Sequence, residues 1–154
     1  HLARANPQWH ALGRCDEALA IFSGPHAYVS PTWYASSGGV PTWNFAAVHV
    51  RVMPEMLEGE SDALDVVTRL TRHFEGSEPE AWQPTRVEPL ALAALLQGIV
   101  CFRLHIIDLQ AKHKLSQNRT PADRQCVIRH LTASRSESAA AVAEMMRALP
   151  EELG

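Results

Sequence analysis

Cysteine is scarce in this chain and odd in number. Cys15, Cys101 and Cys126 stand far apart and form neither a CxxC pair nor a disulfide framework. That excludes a cysteine-stapled secreted scaffold and points to a reducing, cytoplasmic setting. No apolar run reaches transmembrane length, and no basic start leads into an apolar signal segment, so nothing in the sequence calls for a membrane. The glycine patterns that cradle nucleotides are missing: there is no P-loop, no GxGxxG and no GxSxG nucleophile elbow. Eight histidines are present (His1, His10, His26, His49, His73, His105, His113 and His130), but none makes an HxH or HExxH spacing and no cysteine joins them. No metal site is therefore expected. Repeats and low-complexity tracts are also absent. A net charge of −3 gives no reason to expect nucleic acid over the whole surface.

What remains is one ordinary globular domain, residues 1–154, with 46% hydrophobic residues to supply a core. Its charge is uneven. Residues 55–88 hold nine acids against three bases, whereas residues 103–135 hold seven bases against two acids. A basic region in an acidic chain points to a local anion site, or simply to a solvated face.

The longest extended run is 40–52, and the rest of the chain can be read around it. Alternation puts Trp43, Phe45, Ala47, His49 and Arg51 on one face, and Asn44, Ala46, Val48, Val50 and Val52 on the other. The second face is the core side. The first, aromatic at one end and basic at the other, suits a planar anionic ligand or a partner subunit; it is equally the outer face of a half-buried strand.

The chain opens on His1 without an initiator Met, and its first residues read as the inside of a motif, which predicts a fragment of a longer product. Residues 1–5 read as a strand end, stopped at Asn6-Pro7. A turn carrying Arg4 and Asn6 beside free backbone N–H groups is a phosphate-site candidate or a plain Asn-capped turn. Residues 18–22 and 26–30 read as two strands divided by Gly24-Pro25, with Tyr28 facing away from Ala27 and Val29. Trp33 and Tyr34 fall in a loop that is either a lid, an interface or a fold-back onto the sheet.

A helix over 61–75, capped by Ser61 or Asp62 and ended by Gly76, should bury Leu64, Val67, Leu70, Thr71 and Phe74. A short apolar helix over 90–97 follows. Residues 99–109 form a strand with Val100, Phe102, Leu104 and Ile106 facing inward and Arg103 and His105 outward. A polar basic segment, 112–119, leads to Thr120-Pro121, the start of a helix reaching about Leu131. A last helix, from about Ser136 to Leu149, buries Val142, Met145, Met146 and Leu149. The order is α+β: a small antiparallel sheet or barrel carrying helices.

Four blocks then add up. His1-Leu2-Ala3-Arg4-Ala5-Asn6-Pro7-Gln8-Trp9, Phe22-Ser23-Gly24-Pro25-His26-Ala27-Tyr28-Val29-Ser30-Pro31-Thr32-Trp33-Tyr34, Val40-Pro41-Thr42-Trp43-Asn44-Phe45-Ala46-Ala47-Val48-His49 and Lys112-His113-Lys114-Leu115-Ser116-Gln117-Asn118-Arg119 together resemble the PaiB family, the FMN-binding negative transcriptional regulators. The blocks come in the family's order and span most of the chain. The resemblance implies a split β-barrel with flanking helices, with flavin at the interface of a homodimer. It also implies a repressor of sporulation and degradative-enzyme genes, acting on DNA directly or through a partner. The family's opening strands, which precede the first block, are not in this sequence.

FMN carries a phosphate of about two negative charges. Such a group needs Arg or Lys with backbone or hydroxyl donors. The resemblance makes Arg4 and Asn6 the first choice, and Lys112, Lys114, Ser116 and Gln117 the second. Trp43, Asn44 and Tyr28 are the candidates for the isoalloxazine wall and edge. His49 either reaches the cofactor or fills an interface. No residue is singled out as a catalytic acid or base. The leading expectation is a cytoplasmic FMN-binding transcriptional regulator; the alternative is a flavin-dependent oxidoreductase acting on a small molecule. No helix-turn-helix is readable. The C-terminal helices, from about residue 120 to 149 and bearing Arg124, Arg129 and Arg135, are the only basic DNA-contact candidates.

Overall fold

The structure is a computed structural model and describes residues 1–76, 78 and 80–150. Among them the elements run β1 (Leu2–Ala3), α1 (Gln8–Leu12), β2 (Ala18–Val29), β3 (Thr42–Leu57), α2 (Glu60–Glu75), α3 (Pro89–Gln97), β4 (Ile99–Lys114), α4 (Pro121–Thr132) and α5 (Glu137–Arg147). The strands make a four-stranded antiparallel sheet in the order β1-β4-β3-β2. It is an open sheet with flanking helices, α+β as expected, and is not closed into a barrel. The chain divides into two compact units, one of His1–Leu19 with Arg51–Asp108, the other of Ala20–Val50 with Leu109–Gly154.

In the first unit, β1 pairs antiparallel with β4, Leu2 opposite Val100 and Ala3 opposite Ile99. The core is small: Ala63, Leu96 and Cys101 are buried, with Leu57, Leu64, Val66, Val67, Leu92 and Ile99 half-buried around them. Burial raises the Cys101 thiol above its ordinary pKa. The helix expected from Ser61 begins one residue earlier, with Gly59 at its N-cap and no side-chain cap. Its inward stripe holds at Leu64 and Val67, but Leu70 and Phe74 are exposed. The reason is reach: every α2 residue in the core cluster falls in the helix's first half. α3 is better defined, because Pro89 starts it and the Glu88 carboxylate accepts from Ala91 N at 2.9 Å. Ile106, expected inside, is 66% exposed, since the core of this unit reaches along β4 only to Cys101.

In the second unit, β2 is one strand where the sequence predicts two. Gly24 and Pro25 lie within it. β2 is an edge strand, where a missing N–H is tolerated. Gly24 runs so close to β3 that an added Cβ would sit 3.2 Å from both the Cβ and the carbonyl oxygen of Ala46. β4 likewise continues to Lys114, past the expected strand end at Leu109, so Lys112 and Lys114 belong to the strand. The helices start as their sequence signals predict. Thr120 Oγ1 accepts from Asp123 N at 3.2 Å with Pro121 at the first helical position, and Ser136 Oγ accepts from Ala139 N at 3.3 Å.

The core here is larger and joins strand to helices: Ala27, Val29, Leu115, Val127, Ile128, Leu131, Val142, Ala143 and Met146 are all buried in one cluster. Tyr34 is buried among them. Gly39 permits this, because a Cβ there would fall 2.5 Å from the Tyr34 ring. Of the three options for the 32–39 loop, the fold-back onto the sheet's core is the one adopted by Tyr34.

Candidate functional site

The site candidates are best built from β2 outward. Ala27 and Val29 point into the core of the second unit, so His26 and Tyr28 must point to the opposite face of the strand. The same alternation turns Asn44 inward and Trp43 outward. Trp43 stacks on His26 with ring centroids 5.7 Å apart, and its Nε1 donates to His26 Nδ1 at 3.2 Å. In neutral His26 the proton therefore sits on Nε2. Tyr28 lies edge-on to Trp43 at 6.1 Å and to Trp33 at 6.4 Å. Trp33 stacks on His130 of α4 at 5.0 Å, the rings 3° from parallel. Five rings thus follow one another, and Tyr28 of β2 and Trp43 of β3 remain 44% and 47% exposed. Exposed aromatic surface of this kind is what a planar ligand or a partner covers.

Asn44 itself is fully buried. Its Nδ2 donates to Ser116 Oγ at 3.0 Å and to Met146 Sδ at 3.5 Å, and Ser116 Oγ lies 3.2 Å from Asn44 Oδ1. Ser116 is also buried, with a left-handed backbone (φ 60°), a conformation that a non-glycine residue holds only when its surroundings favour it. Gln117 closes the turn after β4: its Oε1 accepts from Leu115 N at 2.7 Å and its Nε2 donates to His113 O at 2.9 Å. Asn44, Ser116 and Gln117 are therefore occupied in positioning the strand ends. Lys112 and Lys114, the chain's two lysines, are exposed. Lys114 Nζ donates to Thr42 Oγ1 at 2.5 Å, next in sequence to Trp43. His49 is exposed on the outer side of β3.

The loop bearing Trp33 is tied down by a buried carboxylate. Asp123 in the first turn of α4 accepts from Ser36 N at 2.8 Å and Ser36 Oγ at 2.7 Å. The Ser36 hydroxyl, then its backbone N–H, hold the Asp123 carboxyl below its ordinary pKa.

Arg4 and Asn6 lie in the first unit, and there the turn is already engaged. Arg4 Nε donates to Gln97 O at 2.8 Å and Nη2 to Ile99 O at 3.0 Å, which caps the end of α3. Asn6 Oδ1 accepts from Gln8 N at 2.9 Å, closing an Asx turn, and Pro7 rather than Asn6 sits at the N-cap of α1. Beside this turn is a cavity of about 390 Å³ lined by Arg4, Trp9, His10, Arg14 and Met56, among others. Trp9 Nε1 donates to Arg4 O at 3.0 Å, and the Trp9 and His10 rings stack at 3.6 Å. The basic groups of His10 and Arg14 were not foreseen there, because Arg14 lies in the turn beyond the end of α1. His26 was missed as well, and period-two alternation with Tyr28 is the signal that finds it.

Comparison with known proteins adds three facts. A family described as "Putative FMN-binding domain" matches residues 1–108. The Bacillus subtilis protein called "Protease synthase and sporulation protein PAI 2" is 39% identical over 147 residues, covering 95% of this chain and 70% of that protein. An uncharacterized protein of Saccharomyces cerevisiae is 36% identical over 85 residues, 52% of this chain and 50% of that protein.

Proposed function

The chain belongs to the FMN-binding PaiB family, and from that membership we propose that it is a cytoplasmic, homodimeric transcriptional repressor whose flavin ring lies on the outer aromatic face of β2 and β3. The observation that carries this reading is the exposed face of Tyr28 and Trp43. Its chemistry fits the cofactor. The Trp43 ring offers a flat apolar wall with the Tyr28 ring inclined to it at 65°, and the exposed Lys112 and Lys114 offer cations for a phosphate. A bound flavin supplies a planar, redox-active ring. The protein's part is to wall that ring with Trp43 and Tyr28 and to neutralise the phosphate with lysine. His26 holds the Trp43 indole in plane through its Nδ1, and Asn44, Ser116 and Gln117 fix the strand ends beneath. Arg4 and Asn6 are the competing phosphate group.

Exposed apolar side chains along β2, including Ile21 and Phe22, support a second copy as the cover for that strand. The solvent-open face also leaves room for a second planar molecule, which is what the oxidoreductase alternative requires.

The test is an absorbance titration of the full chain with FMN, with mass measured in parallel. Trp43→Ala is expected to weaken FMN binding by about tenfold or more. Lys114→Ala should weaken FMN more than riboflavin, which has no phosphate. FMN affinity unchanged by Trp43→Ala sinks the assigned face, and loss on Arg4→Ala alone moves the phosphate to the first unit. Salt-dependent retention of a promoter fragment supports the repressor, whereas catalytic oxidation of a nicotinamide cofactor supports the enzyme.

A further inference from the structure

We propose that the α4–α5 pair carries a binding site for a small organic anion, its head held by Arg124 and Arg147 and its apolar body lying on Ile128, Met146 and Leu149. These side chains, with Pro121 and Gln125, line a cavity of about 330 Å³ in the second unit. That volume is in the range small ligands fill. Among the described residues two guanidinium groups line it and no carboxylate does.

Arg124 provides the more telling observation. Its Nη2 donates to Met146 O at 3.2 Å, near the C-terminal end of α5, which fixes the position of the head group. Its Nε is buried and has no acceptor. A buried donor on a charged group is unfavourable while unpaired, and native structures rarely leave one so. A carboxylate or phosphate in the cavity supplies the charge that balances this guanidinium, whose fork is shaped to receive such groups in pairs. Arg147 faces the same space. Its Nη1 pairs with Glu144 and its Nη2 donates to Thr132 Oγ1 at 2.5 Å, which fixes the side chain at the edge of the cavity. Apart from Gln125 the rest of the lining is apolar, and it selects a ligand with a short hydrocarbon body. A ligand seated there joins α4 to α5. It uses none of the residues assigned to the flavin, so the two readings stand or fall separately.

The experiment titrates the full chain, with and without saturating FMN, with hexanoate, hexyl phosphate, inorganic phosphate and hexylamine, following heat of binding and thermal midpoint. Hexanoate or hexyl phosphate should saturate and raise the midpoint, because a ligand of the folded state stabilises it. Inorganic phosphate should bind more weakly, and the better of the two hexyl compounds identifies the head group. Arg147→Gln should weaken binding by about tenfold. Leu149→Trp, which fills the apolar floor and leaves both guanidinium groups in place, should abolish the rise in midpoint that hexanoate gives the parent. Both variants keep the Arg124 contact with Met146 O that joins the two helices. Equal stabilisation by hexylamine, indifference to both variants, or displacement of hexanoate by FMN would each overturn the proposal.

Discussion

In the unit of Ala20–Val50 and Leu109–Gly154, three polar side chains lie as deep as the aliphatic core: Asn44, Ser116 and Asp123. Each has its partners inside the protein: Asn44 with Ser116 and Met146, Asp123 with both donors of Ser36. In the unit of His1–Leu19 and Arg51–Asp108, no polar side chain among the described residues is that deep. Charges pair at the surface, Glu55 with Arg103 at 3.0 Å and His105 at 2.7 Å, and Arg51 with Glu17 at 3.5 Å. The contrast follows from solvent. A polar group deprived of water must find one particular partner, so it specifies an arrangement. A surface charge that loses its partner regains water, so its pairing decides little. The aromatic face is backed by the first kind of polar contact, which is why its strands are held in register under an exposed surface.

The largest expected effect separates the two cores. Leu131→Ala in the second unit should lose about 2–5 kcal/mol in urea denaturation. Leu92→Ala, half-buried in the first unit, should lose less than half as much. Equal losses would remove the difference between the cores.

Next comes Asn44→Ala, which leaves Ser116 Oγ without its partner in a buried site and should cost about 1–3 kcal/mol. Ser116→Gly should cost less than Ser116→Ala, because glycine takes the left-handed backbone without strain; the reverse order would mean that φ 60° carries no penalty here.

The acid limb sharpens the same comparison. The folded pKa of Asp123 lies below its ordinary value of 3.8. Its stabilisation is therefore fully present above 3.8 and is lost as pH falls through the folded value. Asp123→Asn should be less stable than the parent at neutral pH, and the gap should close below pH 3.8. A gap that stays constant with pH would show that the charge is not what binds Ser36.

The smallest effect belongs to Glu55, held below its ordinary 4.5 by the hydrogen bond from His105 and then that from Arg103. The sign is the same, but the site is open to water. The difference between Glu55→Gln and the parent should vanish at about 1 M salt, where the screening length is near 3 Å. A difference that survives such salt would make this pair more than a surface contact.

Much of the fold was legible because it repeats locally. The inward set Asn44, Val50 and Val52 followed from alternation, and the starts of α4 and α5 followed from Thr120-Pro121 and Ser136. The errors came where a local signal met its surroundings. Gly24-Pro25 reads as a break, yet it is accepted within an edge strand. Phe74 continues the apolar stripe of α2, yet nothing in that core reaches it. At the candidate site, Trp43 and Tyr28 emerged on the exposed face that alternation gives them, whereas Ser116 and Gln117 turned out to be engaged at the end of β4.

Strand and helix types, their caps, the outward direction of Trp43 and Tyr28, and the family blocks were determined by the sequence itself, because each depends on residues a few positions apart. The tertiary structure alone decided that Asn44 is satisfied by Ser116 across 72 positions and that Arg4 caps α3 across 93. It also decided that Trp33 stacks on His130 and that Arg124 carries a buried donor with no acceptor. Such partners are chosen by which side chains the folded backbone brings within about 3–4 Å, and no spacing along the chain encodes that distance.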